Sequence, residues 1–233
     1  MKILFFDTET NGLPKDRRAL PRQTESWPRV VQLAWTLLEI QDDGSGSEIC
    51  DARSAIINPG DISWDMKSSE IHGISQERAQ SEGISAAQIF SQFQTIIRQA
   101  HIIVAHNLAF DKSVLYAEYY RLNPSETFDW WPPYEYCTME STKHLCKLPF
   151  ANGRPGRPND PYKLPKLSEL HTYLFGSVGD YAFHDALNDV QCTIACFQEL
   201  LRRRLVAPFD QWVRAFRRVP AAVGGAGAGA DKT

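Results

Sequence analysis

The pattern of apolar positions along the chain predicts that strands alternate with helices. Four short apolar runs fit buried β-strands: 2–7, 30–40, 55–58 and 101–105. Five other segments repeat apolar residues every three or four positions, as amphipathic helices do: 85–100, 109–120, 166–175, 185–204 and 209–217. Strands followed by helices along the chain indicate the α/β class.

Two stretches between these elements carry basic residues, prolines and no period. The first, 14–28, holds Lys15, Arg17, Arg18 and Arg22, and the second lies within the Pro-, Trp- and Gly-rich segment 129–163. We predict a single domain over 1–220 with exposed basic loop insertions at 14–28 and 147–163. Besides the arginines of 14–28, three residues of the second loop are expected to follow backbone phosphates: Arg154, Arg157 and Lys163. Residues 221–233 are predicted to be a disordered Gly/Ala tail.

Net charge, cysteine spacing and the length of apolar stretches limit the classes of protein to which this chain can belong. Lys and Arg number 25 against 28 Asp and Glu, a net charge of −3, so attraction of a polyanion needs local positive charge or metal. The five cysteines contain no C-x-x-C, which argues against a disulfide framework and a zinc ribbon. We therefore expect a reduced, cytoplasmic protein. A carboxylate at position 7 interrupts the first apolar run, and no apolar stretch approaches the roughly 20 residues of a membrane span, so no membrane partner is expected.

The first candidate for chemistry is the acidic pair Asp7 and Glu9, at the end of the first apolar run. Residues i and i+2 of an extended segment share a face, so both carboxylates can point at one cation. Such a pair at a strand end is usually only solvated. Its place after a central strand, where α/β sheets form their ligand crevices, favours a functional interpretation.

Two further acidic segments follow. Asp111 comes after the fourth predicted strand, where a first-turn helix acid would also be favoured by the helix dipole alone. His184 and Asp189 lie five residues apart, which on an ideal helix leaves them about 140° apart. His184 must therefore precede the helix to share a site with Asp189, and Asp185 as the N-cap residue would arrange this.

Taken together and in this order, these segments resemble the DEDDh family of 3′→5′ exonucleases, the DnaQ-like group of the ribonuclease H-like superfamily. The resemblance covers about residues 2–200. The matching residues fall in three motifs: Phe6-Asp7-Thr8-Glu9-Thr10 with Gly12 and Leu13; His106, Asn107, Phe110 and Asp111; and His184, Asp189 and Thr193. The segment Ile71-His72-Gly73-Ile74 is similar to a loop of these enzymes.

The resemblance implies a ribonuclease H-like α/β fold, with a mixed five-stranded sheet flanked by helices on both faces. It also implies two ions, Mg²⁺ or Mn²⁺, held by Asp7, Glu9, Asp111 and Asp189, with His184 as general base. The chemistry agrees, because phosphodiester cleavage by two metal ions needs a set of hard oxygen ligands. Histidine suits proton transfer because its unperturbed pKa of about 6.5 lies near working pH.

The family activity is hydrolysis from the 3′ end of a nucleic acid, with release of nucleoside 5′-monophosphates. The expected substrate is single-stranded DNA or a 3′ overhang, with RNA as an alternative, and a polymerase is a partner to consider in proofreading or repair. Leu13 and Phe110 would wedge or stack on the terminal base, a contact that tolerates any sequence. Four other residues are expected to contact substrate: Thr8, Thr10, His72 and Asn107.

Three alternatives stay open. A sister branch of the family uses Tyr-x-x-x-Asp, a spacing that Tyr181 and Asp185 also supply; Asp189 and Thr193 fit the histidine pattern better. A module of the same fold could hold nucleic acid or a polymerase without cutting, although the intact acids argue against it. An endonuclease of the ribonuclease H-like superfamily would cut circular or 3′-blocked substrates.

Overall fold

The core of the protein is a mixed six-stranded β-sheet. The computed structural model describes residues 1–41, 43, 44, 47–60, 62–125, 127, 129–150 and 160–217. The strands, in chain order, are β1 (Lys2–Thr10), β2 (Val30–Ile40), β3 (Ser47–Asn58), β4 (Ile84–Ser85), β5 (Ile102–Ala105) and β6 (Tyr134–Cys137). Their order in the sheet is β4-β3-β2-β1-β5-β6. The β1–β2 and β2–β3 pairs are antiparallel, whereas β1–β5, β5–β6 and β3–β4 are parallel.

The helices in the described residues are α1 (Met66–His72), α2 (Gln76–Glu82), α3 (Ala86–Ile97), α4 (Leu108–Leu122), α5 (Thr138–Cys146), α6 (Leu167–Phe175), α7 (Ala186–Arg202) and α8 (Phe209–Arg217). None of them is long and apolar enough to cross a membrane.

Alternate side chains of the central strand β1 pack into two different cores. Phe5 points to the face covered by α7, where its ring lies 5.3 Å from that of Phe197. Phe6 points to the face covered by α3 and α4, with its ring 5.7 Å from Phe93. This alternation follows from the two-residue period of a strand, and it confirms the α/β class with helices on both faces.

The structure corrects the sequence prediction at several elements. The sheet has six strands rather than five, and β3 begins at Ser47 rather than at 55, because its first half is held by pairing with β2 while its side chains are mostly exposed. Segment 129–163 is not a continuous loop: β6 pairs with β5 and leads directly into α5. The short, largely exposed helices α1 and α2 lack the apolar stripe by which a helix is predicted.

Of the three residues of the second loop that were predicted to follow backbone phosphates, one forms an ion pair and two lie outside the described residues. The Lys163 ammonium, expected to follow phosphates, is 2.6 Å from the Glu169 carboxylate, so an internal ion pair uses its charge. Arg154, Arg157 and the predicted tail at 221–233 lie outside the described residues.

Candidate active site

The end of β1 carries the first two carboxylates. Asp7 and Glu9 continue the alternation that begins with Phe5, so both point to the face of α7. Pairing of Phe5 with Val104 sets the carboxyl end of β5 beside Asp7. The β5–α4 connection therefore begins next to the acidic pair.

Asp111 approaches from the other face of the sheet. The chain turns from β5 into α4 at Asn107, whose backbone is left-handed (φ 71°), a conformation that asparagine tolerates better than most residues. Asp111 lies in the first turn of α4 and is only 3% exposed. Its Oδ1 accepts hydrogen bonds from the main-chain N–H of Thr8 at 3.2 Å and from the Thr8 hydroxyl at 2.6 Å. These bonds fix the Asp111 carboxylate to Thr8, the residue between Asp7 and Glu9 on β1.

The third segment is set by the start of α7. Asp185 is its N-cap residue, as predicted, and accepts a hydrogen bond from the Asn188 main-chain N–H at 3.1 Å. His184 therefore precedes the helix, with a left-handed backbone (φ 69°). Its main-chain N–H donates to Asp189 Oδ2 at 3.2 Å. Because of this turn, residues five apart in sequence lie at one site.

The structure thus gathers the five predicted catalytic residues at one edge of the sheet. Ligand atoms of Glu9, His184 and Asp189 lie within 4.8 Å of one another. Asp7 is close enough to Asp111, Asp189 and Glu9 for their charges to raise the pKa of its carboxyl.

Burial is the main cause of raised pKa values throughout the cluster. It raises the pKa of Asp7 well above its ordinary range, and neighbouring carboxylates add to the effect. Burial, followed by the charges of Asp189 and Asp111, raises the pKa of Glu9 to about 8. Burial raises the pKa of Asp111 to about 7 despite the Thr8 hydrogen bonds, and that of Asp189 to about 6 despite the bond from His184.

Ion pairs with Lys or Arg of the described residues do not neutralise these carboxylates. Asp189 Oδ1 is buried and has no hydrogen-bond partner. Buried charges and polar atoms normally have a partner, and hard oxygen donors are the ligands that Mg²⁺ and Mn²⁺ prefer. The residues present therefore fit a divalent-cation site.

Two adjoining cavities open at the cluster. One, of about 710 Å³, is lined by Asp7, Asp111 and Asp189 together with Lys166 and Phe183. The other, of about 600 Å³, is lined by Glu9 but by none of the other three acids. Residues lining both are Thr8, Glu9, Asn107, Phe110 and His184. The acidic centre therefore lies at the junction of a longer groove.

The residues predicted to contact substrate differ in what they present to this groove. Leu13 is 69% exposed at its rim, and Phe110 is half-buried in its wall. Thr8 is bonded to Asp111, and the Thr10 hydroxyl donates to the Gly12 carbonyl at 2.8 Å. His72 also lines the groove, although Nδ1 accepts from the Ile74 N–H at 3.1 Å and Nε2 lies 3.2 Å from the Thr10 carbonyl. The polar groups of Thr8, Thr10 and His72 thus hold the end of β1.

Two residues that support the site were given no role by the sequence. Gln32 on β2 donates to Asp185 Oδ2 at 3.0 Å and accepts from the Ala186 N–H at 3.2 Å, which fixes the start of α7. Its signal was a polar residue inside an otherwise apolar strand. His106 lies 3.0 Å from both the Thr138 hydroxyl and the Pro165 carbonyl, and burial lowers its pKa to about 4. Neutral His106 thus joins the end of β5 to the cleft wall at Pro165.

The structure gives Tyr181 and Asp185 other surroundings. The Tyr181 ring packs 5.3 Å from His171 and 6.1 Å from Phe183, and Tyr181 lines neither cavity. Burial raises the pKa of Asp185, but hydrogen bonds from Gln32 and Asn188 outweigh it and lower the pKa below its usual range. Asp185 is thus engaged in capping α7.

Comparison with known proteins agrees with this architecture. The family model of the RNase T exonucleases, described as "Exonuclease", matches residues 4–197, and the chain belongs to this family. The match confirms the resemblance to DEDDh, DnaQ-like exonucleases that the motifs indicate. These enzymes use divalent metals in general, in accord with the carboxylate cluster. A comparison with curated protein sequences found no match.

Solved structures show the same fold. Exonuclease I from Methylocaldum szegediense aligns with a TM-score of 0.62 and 19% identity, over 92% of this chain and 43% of that one. E. coli exonuclease I in complex with a dA16 oligonucleotide aligns with a TM-score of 0.62 and 19% identity, over 90% of this chain and 42% of that one. The zinc-bound E. coli ExoI–ssDNA complex aligns with a TM-score of 0.64 and 19% identity, over 93% of this chain and 43% of that one. The fold is ribonuclease H-like, as expected, and the chain spans less than half of each exonuclease I.

Proposed function

We propose that this protein is a metal-dependent 3′→5′ exonuclease that releases nucleoside 5′-monophosphates. Asp7, Glu9, Asp111 and Asp189 would hold two divalent cations, Mg²⁺ or Mn²⁺, and His184 would act as general base. The observation that carries this proposal is the convergence of four carboxylates, without cationic partners among the described residues, on a groove that also contains an exposed histidine.

When bound, such cations would stabilise the charge that develops on the phosphoryl and leaving oxygens and make a bound water more acidic. His184 would take the proton of the attacking water, and the presence of one of its ring nitrogens within 4.8 Å of ligand atoms of Glu9 and Asp189 supports this role. The water oxygen forms a bond to phosphorus as the bond from phosphorus to the 3′ oxygen breaks. The shortened strand then ends in a 3′ hydroxyl, protonated from solvent.

Several residues around the four carboxylates would hold the acids, His184 or the substrate in position. The Thr8 hydroxyl holds the Asp111 carboxylate at 2.6 Å, so the acid does not have to be ordered when a cation binds. Gln32 and Asp185 hold the first turn of α7, and with it the His184–Asp189 pair. Phe110 would stack on the terminal base, and Leu13 would separate it from the next one.

Single-stranded DNA is the substrate we favour, with RNA as the alternative. The E. coli enzyme of similar fold was solved in complex with single-stranded oligonucleotides. Discrimination between the two depends on contacts with the 2′-hydroxyl.

Hydrolysis of the p-nitrophenyl ester of thymidine 5′-monophosphate tests the chemistry without requiring a long substrate. We expect turnover with Mg²⁺ or Mn²⁺, none in EDTA, and none from Asp7→Asn, which keeps the shape of the side chain but removes its charge. Full activity of Asp7→Asn, or of the enzyme in EDTA, would contradict the proposal.

A further inference from the structure

The basic segment 14–28 is anchored to α4 at its C-terminal end, although it is rich in proline and charge. Arg121 of α4 donates to the carbonyl oxygen of Trp27 at 2.7 Å and to that of Pro28 at 3.3 Å. Glu118, only 1% exposed, accepts from Arg29 Nε at 2.7 Å and from the Val30 N–H at 3.0 Å. The Arg29–Glu118–Arg121 network, with Glu118 buried and both arginines partly buried, therefore fixes the C-terminal end of the segment to α4, and the Lys15 N–H donates to the Ser26 carbonyl at 2.9 Å.

On this anchored segment, three cationic side chains point to solvent. Lys15, Arg17 and Arg18 are exposed, and none forms an ion pair with another described residue. Arg22 is exposed too, with its guanidinium 4.3 Å from the centre of the Tyr120 ring. In contrast, Arg202 and Arg203 at the end of α7 are both paired with Glu199. Segment 14–28 thus carries four exposed cationic side chains against two acids, Asp16 and Glu25, on a chain of net charge −3.

One of these side chains reaches the active-site groove. Arg17 lines the cavity of about 600 Å³ that also contains Glu9 and His184. That cavity is also lined by Gly12, Leu13 and Pro14, by α1, and by Phe110 and Ser113 of α4. A polyanion must approach a centre of four carboxylates, so positive charge beside the groove would offset their repulsion of the strand.

We propose that Arg17 and Arg18, with Lys15 and Arg22, bind the sugar–phosphate backbone of the strand that leads to the reacting 3′ end. This inference rests on the proposed function and adds the path of the substrate. The strand is taken as single, in accord with the substrate favoured above. The contacts are to phosphate and carry no base preference.

Binding tests this path independently of cleavage. The affinity for 5′-fluorescein-labelled dT20 is measured by anisotropy in EDTA, for the whole protein and for R17A/R18A. Each single-strand phosphate contact contributes about 0.7 to the slope of log K against log salt. We therefore expect the double variant to bind about 20-fold more weakly at 0.1 M salt, with a slope smaller by about 1.4. R98A, at the exposed C-cap of α3, is the matched control and should bind like the unchanged protein.

Equal affinities of R17A/R18A and R98A would overturn the path, and so would a preference for duplex that the double variant loses. An rU20 arm shows whether the same arginines also hold RNA. Circular dichroism confirms that both variants are folded.

Kinetics show whether the bound strand leads to the reacting end. With dT20 as substrate, the R17A/R18A substitutions should raise KM much more than they lower kcat. Hydrolysis of the p-nitrophenyl ester, which has no strand to hold, should be affected much less. An equal loss of kcat/KM on both substrates would overturn the proposed path of the strand. Absence of hydrolysis by the unchanged protein would refute the proposed function alone, because the binding arm does not depend on cleavage.

Discussion

The main-chain N–H of His184 donates a hydrogen bond to the Asp189 carboxylate at 3.2 Å, across the first turn of α7. This contact brings the proposed base and an acid of the third motif to one point, although they are five residues apart. It depends on the left-handed backbone of His184 and on the Asp185 cap. Metal holding and proton transfer are therefore assigned to different side chains, which substitutions can separate.

Asp189→Asn and His184→Ala should have different effects on metal and turnover. Asp189→Asn should weaken metal binding and activity together, because the amide lacks the charge that holds a divalent cation. His184→Ala should retain the metal and lower turnover by about 10²–10⁴, the usual contribution of a positioned general base. Calorimetric titration with Mn²⁺ and kcat for dT20 measure the two quantities.

The pH–rate profile gives a second readout of His184. The acid limb should flatten in His184→Ala, because the group that must lose its proton is gone. If His184→Ala retains most of its turnover, or loses its metal, the assignment of the base is wrong.

A second prediction concerns the backbone of His184. Glycine adopts a φ of 69° freely, whereas alanine in the left-handed region is disfavoured by about 1 kcal/mol. Both His184→Gly and His184→Ala should lose the base equally, but the glycine variant should be more stable by about that amount. Urea unfolding in EDTA measures the difference. A less stable glycine variant would show that the flexibility it adds to the unfolded chain outweighs the relief of strain.

The competing tyrosine assignment makes the opposite prediction. Tyr181→Phe keeps the ring that packs on His171, and asparagine is as good an N-cap residue as aspartate. We therefore expect Tyr181→Phe to keep metal binding and most of the turnover, and Asp185→Asn to keep the cap on α7 but to lose part of the turnover, because the amide cannot accept both from Asn188 and from Gln32. Abolished turnover in Tyr181→Phe, with nearly full activity in His184→Ala, would place the protein in the sister branch.

Stability of the metal-free protein should depend on pH through the carboxylate cluster. The pKa of Glu9 is raised to about 8 and that of Asp111 to about 7, so folding favours their protonated forms. Their contribution to stability is fully present below their ordinary pKa values, near 4, and is lost as the pH rises through 7 to 8. In EDTA, Tm should fall between pH 5 and 8.5, and the fall should be smaller in Glu9→Gln.

Added Mg²⁺ should reverse this loss, with a larger rise in Tm at pH 8 than at pH 5.5, because it binds the ionised carboxylates. Glu48→Gln, which removes an exposed carboxylate of β3, is the control and should follow the unchanged protein. A fall in Tm of the same size in Glu9→Gln would assign the pH dependence to other groups.

The sequence predicted best those features that local pattern determines. The apolar run before Asp7 marked β1, and its two-residue period placed Asp7 and Glu9 on one face. The angle between His184 and Asp189 on an ideal helix required His184 to precede α7, and the structure confirms this. These inferences needed only the geometry of one element.

Features that depend on distant partners were not visible in the sequence. The first half of β3 is held by β2, so its mostly exposed side chains gave no apolar signal. The approach of Asp111 to Thr8 joins residues 103 positions apart, and Gln32 reaches across 153 positions to Asp185. Segment 14–28 is tied to α4 at its C-terminal end by the buried Glu118 and the partly buried Arg121, which a loop composition does not reveal.

The polarity of digestion tests the proposed 3′→5′ activity most directly. One single-stranded oligonucleotide carries a label at its 5′ end in one sample and at its 3′-terminal nucleotide in another, and both are digested with Mg²⁺. We expect the 3′ label to appear at once as a nucleoside 5′-monophosphate, while the 5′ label passes through a ladder of shortening strands; EDTA stops both. First release of the 5′ label as a mononucleotide, cleavage of a circular strand, or undiminished digestion in EDTA would contradict the proposed activity.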